Sequence, residues 1–233
     1  DGTGIHYAEI ITADAALAFV NHIRDTSLFM RLEERYACFL NTETCSLIPP
    51  GSHSRFTAGL LVWGMYNWDK EQQYLDGLYT LVQDKWDKWA DPNPVTGILK
   101  SARFWSDDMY FTPTLETRIF KIDGDPSTIE RVTKWLTNYV DSLQQPNGLI
   151  KHTNDVPFFW GRGVGWAAVG LTNALEGMPE DHPKRQYLLD SYLKMMEGLL
   201  AYQSENGLWR QLVDYPEAWE ETSASAMFAY SMI

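Results

Sequence analysis

The chain has 233 residues, 45% of them apolar and 14% aromatic, enough side-chain mass for a sizeable core, and it reads as soluble and globular. Its net charge is −12 with no block of lysine or arginine, so its field opposes nucleic acid and anionic membrane as partners. No apolar run is long enough to span a bilayer, and the opening DGTGIHY lacks the charged and apolar regions of a signal peptide. The compartment, cytoplasmic or secreted, and the oligomeric state stay open.

Ten tryptophans and twelve tyrosines exceed what packing alone asks for, and aromatic-rich clefts suit sugar rings, whose C–H faces lie flat on indole. The two cysteines, Cys38 and Cys45, have neither metal-ligand spacing nor a disulfide framework, although they could pair. No metal or cofactor is expected.

In chain order, residues Tyr7 to His22 read as a mostly apolar helix and Ser27 to Leu40 as an amphipathic one, an inner element followed by an outer one. Residues 41–54, with Pro49, Pro50 and Gly51, read as a loop. The scheme then repeats. Phe56 to Trp68, Asp107 to Ile122 and Gly163 to Leu175 read as inner helices, and Glu71 to Trp89, Pro126 to Leu143 and Pro183 to Tyr202 as outer ones. A ninth helix opens near Thr222 and runs to Ile233, while β signals are sparse. Alternating inner and outer helices with short turns predict antiparallel hairpins side by side.

The loops repeat too. Gly97-Ile98-Leu99-Lys100, Gly148-Leu149-Ile150-Lys151 and Gly207-Leu208-Trp209-Arg210 share glycine, two apolar residues and a base, each a turn entering a short extended arm. After each arm comes a tryptophan, Trp105, Trp160 or Trp219, and two residues later a charge at the mouth of an inner helix: Asp107, Arg162 or Glu221. Hairpins repeated in this way deliver equivalent positions to one end of an all-α toroid. An open solenoid with a concave face is the competing architecture. The ring fits better, because stretches as apolar as LLVWGMY and WAAVGL are suited to burial on all sides.

Each candidate residue has a structural reading beside the functional one. Ser106 and Asp107 stand where a helix begins and fit the role of caps, while Asp107 and Asp108 are also paired carboxylates behind Trp105. As neighbours on a helix these two point about 100° apart, which disfavours a shared metal. Arg162, in WGRGVGW, opposes the positive end of a helix dipole, a conflict relieved by an acidic ligand or by an ion pair with Asp155 or Glu221. Trp160 and Trp219 stack on a sugar or plug the barrel end, with the plug the safer reading for Trp219. His152 hydrogen-bonds a substrate oxygen or is solvated. Glu221 fits a helix cap better than a second carboxylate opposite Asp107.

These segments carry a family resemblance. WSDDMYF is similar to the W-x-D entry, WGRGVGW to the W-x-R-x-x-G-W stretch and GLWRQLVDYPEAWEETSASAMFAY to the late block of glycoside hydrolase family 105, the unsaturated rhamnogalacturonyl hydrolases and related unsaturated glucuronyl hydrolases. The blocks occur in order between Phe104 and Ile233. The resemblance implies one (α/α)6 barrel catalytic domain across residues 1–233. It further implies a reaction on lyase-generated acidic oligosaccharides that carry a C4=C5 unsaturated uronic acid. On it Asp107 matches the aspartate that protonates the double bond and activates water, with His152, Trp160 and Arg162 on the substrate. Trp105, Trp219 and His53 complete the expected contacts. Two features depart from the pattern. Residues Ser52 to Arg55 read SHSR where the family has a further acidic residue, so that either His53 substitutes for it or the substrate contact differs. The helices are also fewer than six hairpins require, so the barrel is expected to be incomplete at both ends. Two alternatives remain: an inverting glycosidase pairing Asp107 with Glu221, and a non-catalytic toroid that binds acidic oligosaccharides.

Overall fold

The computed structural model describes residues 6–36, 57–88, 96–98 and 102–233. Among the described residues every regular element is an α-helix: α1 (Tyr7–Ile23), α2 (Thr26–Tyr36), α3 (Gly59–Asp69), α4 (Gln72–Lys88), α5 (Asp108–Asp123), α6 (Pro126–Leu143), α7 (Gly161–Gly177), α8 (Arg185–Ala201) and α9 (Thr222–Met232). β-structure among them is confined to isolated bridges. The expected helices are present, with ends displaced by a few residues. His53, the SHSR segment and both cysteines lie outside the described residues.

The chain forms two compact units, Asp1–Asp91 and Pro92–Ile233. In the first, α3 packs between α1 and α4. Helix α1 buries a single stripe, Ile10, Leu17 and Val20, and leaves Phe19 exposed, so it is less enclosed than its composition suggested. Leu17 lies directly against Gly64 of α3.

In the second unit α7 packs between α5 and α9, with α6 and α8 against them. The inner and outer readings hold here. Helix α5 buries Met109, Tyr110, Leu115 and Ile119 together with threonines at 112, 114 and 117, whereas α6 buries one face, Ile129, Val132, Leu136, Tyr139 and Leu143 flanked by Trp135 and Val140, and exposes the other. The α5–α6 junction is explicit in the sequence. Gly124 takes a left-handed C-cap (φ 65°), Asp125 accepts the Ser127 N–H as N-cap, and Pro126 fills the first helical position. Three glycines seven residues apart set how closely α7 approaches α5. A Cβ at Gly163 would meet Ser106 Oγ, one at Gly170 the Met109 carbonyl, and one at Gly177 the Thr117 methyl.

The glycine turns of the repeated loops share one conformation at their described residues. Gly97, Gly148 and Gly207 all have positive φ, 68°, 88° and 86°. In QQPNGL and QSENGL the first glutamine side chain donates to the glycine carbonyl, 3.0 Å at Gly148 and 2.9 Å at Gly207. The asparagine oxygen then accepts from the N–H two residues on, at Leu149 and Leu208. Thr96 plays the asparagine's part toward Ile98. Beyond the turns, Gln144 bridges Ile150, Trp160 bridges Leu212, and Arg210 bridges Glu220. The last two bridges tie the entrances of α7 and α9 together.

Candidate active site

The site is assembled within the second unit, where the arm before α5 meets the arm carrying His152. Phe104 turns the chain with a left-handed φ of 52°, a conformation that costs a non-glycine residue about 1 kcal/mol or more. Tyr139 holds it there, stacking on the Phe104 ring at 4.8 Å and accepting the Phe104 N–H in a 3.2 Å bond. The next residues are thereby aimed at His152, whose carbonyl accepts the Ser106 N–H at 2.9 Å.

The two adjacent aspartates have different fates. Asp108 is buried and receives the Arg103 guanidinium through both Nε and Nη2, together with the Tyr139 hydroxyl at 3.1 Å. It is a structural anion. Asp107 stands at the N-cap position but has helical dihedrals (φ −57°, ψ −36°) and makes no capping bond, since a capping carboxylate needs an extended backbone to reach back. The capping role expected for it is therefore not taken, and its side chain is left to the site.

Asp107 Oδ2 lies 3.3 Å from His152 Nδ1, an ion-pair distance, yet it finds no aligned hydrogen-bond donor. The two facts are compatible, because the imidazole Nδ1 is aligned instead on Ser106 Oγ, 3.1 Å away. Burial pushes the Asp107 carboxyl upward from its ordinary value. His152 and a backbone hydrogen bond oppose the shift, the Asp108 charge adds to it, and Arg103 weakly opposes it. Desolvation thus outweighs the groups that favour the charged form.

Aromatic rings surround this pair. Trp105, 42% exposed, lies 5.4 Å from His152 between ring centroids, and its indole carries the Arg103 guanidinium at 4.4 Å. Trp160 meets His152 edge-on at 4.9 Å, and Arg162 stacks on Trp160 at 4.4 Å. Arg162 Nε is buried without a hydrogen-bond partner, and Nη1 reaches Glu221 only at 4.0 Å. An anion placed there would complete an underused guanidinium.

Glu221 is the N-cap of α9. Its carboxylate accepts the N–H groups of Ser223 and Ala224 and the Ser223 hydroxyl. Trp219 is 68% exposed and plugs nothing, because its backbone belongs to the bridged strand edge and its indole projects from it. Asp107, His152, Trp105, Trp160 and Arg162 thus form one chain of contacts. Sequence reading overlooked Arg103 and Tyr139, which arrange them, and took Ser106 only as a cap, not as the partner of His152. Among the described residues no group of His, Cys, Asp or Glu is arranged to hold a metal ion, and no helix is long and apolar enough to cross a membrane.

Residues 54–233 match the family model of Glycosyl Hydrolase Family 88. An unsaturated 3S-rhamnoglycuronyl hydrolase from Alteromonas sp. (strain LOR) is 32% identical over 115 residues, 45% of this chain and 28% of that protein. The unsaturated rhamnogalacturonyl hydrolase YesR from Bacillus subtilis is 28% identical over 137 residues, 55% of this chain and 40% of that one. The matches thus span less than half the length of these relatives. The solved structure of a C. acetobutylicum glycoside hydrolase from family 105 superposes with a TM-score of 0.85 at 18% identity, covering 100% of this chain and 71% of that one. That likeness establishes the fold class as the all-α helical toroid of these glycosidases and sets the open solenoid aside.

Proposed function

The chain belongs to Glycosyl Hydrolase Family 88, and on that premise we propose that it serves a hydrolase of unsaturated uronyl oligosaccharides. The substrate is a lyase-generated acidic oligosaccharide with a C4=C5 uronic acid at its non-reducing end. One observation carries the reading: a single carboxyl group, Asp107, is uncapped, biased by burial toward its protonated form and set beside His152, Trp105, Trp160 and Arg162. Ordinary glycoside hydrolysis needs a second carboxylate as base or nucleophile. Glu221, the candidate for that role, is committed to capping α9.

Hydration of an enol ether needs only one such group. The Asp107 carboxyl delivers its proton to C4, and positive charge develops at C5 and the ring oxygen. Water adds to C5 while its proton passes to the Asp107 carboxylate, which regenerates the acid. The resulting hemiketal opens to a ketone, the C1–O bond breaks, and the remaining sugar leaves with one molecule of water consumed. Arg162 meets the uronate carboxylate, offsetting a net charge of −12 that otherwise repels such a substrate. Trp105 and Trp160 provide faces for the sugar, and His152 hydrogen-bonds the ether oxygen. Trp219 and His53 are further substrate contacts in the same proposal, Trp219 by its exposure.

The experiment is to incubate the protein with unsaturated disaccharides from rhamnogalacturonan, ulvan and glycosaminoglycan lyase digests in D2O and follow the products by NMR. Deuterium appearing at C4 with release of the intact partner sugar supports the reading. Absence of turnover on all three by folded protein refutes it.

A further inference from the structure

In the W-x-D pattern that this chain resembles, the middle position is unspecified, and here it is Ser106. The structure gives that serine a definite place. It is fully buried, its N–H donates to the His152 carbonyl at 2.9 Å, and its Oγ lies 3.1 Å from His152 Nδ1. One residue therefore fixes the histidine through both main chain and side chain. Gly163 closes the arrangement from the other side, since a Cβ there would fall 2.7 Å from Ser106 Oγ and 3.5 Å from His152 Nδ1.

The consequence concerns the proton on Asp107. Its Oδ2 is 3.3 Å from the same Nδ1, close enough to be drawn into a hydrogen bond if the ring turned toward it, yet no aligned bond is made. A serine hydroxyl is a rotor that can donate to an imidazole lone pair. A ring whose Nδ1 accepts from serine carries its own proton on Nε2, and the partner of one nitrogen thereby sets the chemistry of the other.

We propose that Ser106 is a positioning residue of this site. Its hydroxyl donates to His152 Nδ1, holds the ring in the Nε2–H tautomer, and keeps His152 from engaging the Asp107 carboxyl. His152 then presents an Nε2–H donor to a substrate oxygen, while the Asp107 proton stays available for carbon. Only this catalytic consequence rests on the function proposed above; the tautomer assignment stands on the protein alone.

The test has two readouts. In 15N imidazole spectra of substrate-free protein, with the His152 signals assigned by their loss in His152→Gln, wild type is expected in the Nε2–H form and Ser106→Ala shifted toward Nδ1–H. Ser106→Thr, which keeps the hydroxyl, retains the wild-type form. Gly163→Ala, which pushes the hydroxyl away, behaves like Ser106→Ala. With an unsaturated disaccharide, Ser106→Ala is expected to lower kcat about tenfold, the worth of one hydrogen bond, with KM changed by less than about twofold. An Nδ1–H tautomer in wild type, or one tautomer shared by wild type and Ser106→Ala, overturns the proposal whatever the activity. If wild type turns over no unsaturated uronide, the function fails, and the tautomer comparison alone decides the role of Ser106.

Discussion

Gly170→Ala probes the contact that sets α7 against α5. A Cβ at Gly170 would fall 2.0 Å from the Met109 carbonyl oxygen, 2.6 Å from the Met109 carbonyl carbon and 3.0 Å from Tyr110 Cα. All three obstacles are backbone, so no rotamer change relieves them and the helices must separate by about 1 Å to reach ordinary contact. Overpacking of this kind costs about 3 kcal/mol, and the better helix propensity of alanine returns about 1 kcal/mol, leaving a net loss near 2 kcal/mol. For a chain of this size that corresponds to a fall in Tm of about 4–8 °C, read by calorimetry or far-UV circular dichroism. Gly177→Ala is the comparison. Its Cβ would meet the Thr117 methyl at 2.1 Å and the Lys121 chain at 3.0 Å, and both are side chains that can rotate. It should lose less than half as much. Because Met109 is two residues from Asp107, Gly170→Ala should also impair the site, whereas Gly177→Ala should not. A Gly170→Ala protein melting within about 1 °C of wild type, or a larger loss from Gly177→Ala, would refute the reasoning.

Arg103→Met leaves the buried Asp108 carboxylate with the Tyr139 hydroxyl as its one side-chain donor among the described residues. Breaking a buried pair costs about 3–5 kcal/mol, and the partial exposure of Arg103 places this case near 3; urea unfolding should show that loss, largely recovered in the Arg103→Met/Asp108→Asn double variant. Glu221→Ala removes the α9 cap and should cost about 1 kcal/mol in the same assay. Asp107 gives a pH test. Its carboxyl is raised in the folded state, so its favourable contribution is fully present below the unfolded value of about 3.9 and is lost as pH rises through the folded value. Asp107→Asn, which cannot ionise, should therefore gain Tm relative to wild type between acid and neutral pH. A gap that stays constant or narrows counts against desolvation of Asp107.

Much of this was readable in the sequence because its causes are local. The G-D-P-S junction between α5 and α6 specifies its own caps, and the N-G turns specify positive φ and the hydrogen bonds that follow. The composition of α5 and α7 announced their burial, and the spacing of WSDDMYF and WGRGVGW placed Asp107 and Arg162 at helix entrances. What stayed hidden depends on residues distant in sequence. Which of two adjacent aspartates remains available is decided by Arg103 and by Tyr139 on α6, and the direction in which His152 points is decided by Ser106. Trp219 looked like a plug because tryptophan is usually buried. Only the bridge between Arg210 and Glu220 fixes the edge from which it projects.

The central claim, that Asp107 hydrates a C4=C5 uronide, is tested most directly by the ultraviolet absorbance of the conjugated double bond in lyase-generated disaccharides, with wild type and Asp107→Asn compared at equal folded concentration. The account predicts that absorbance decays with wild type and persists with Asp107→Asn. Equal decay with both proteins would contradict it, as would persistence with wild type on rhamnogalacturonan, ulvan and glycosaminoglycan products alike.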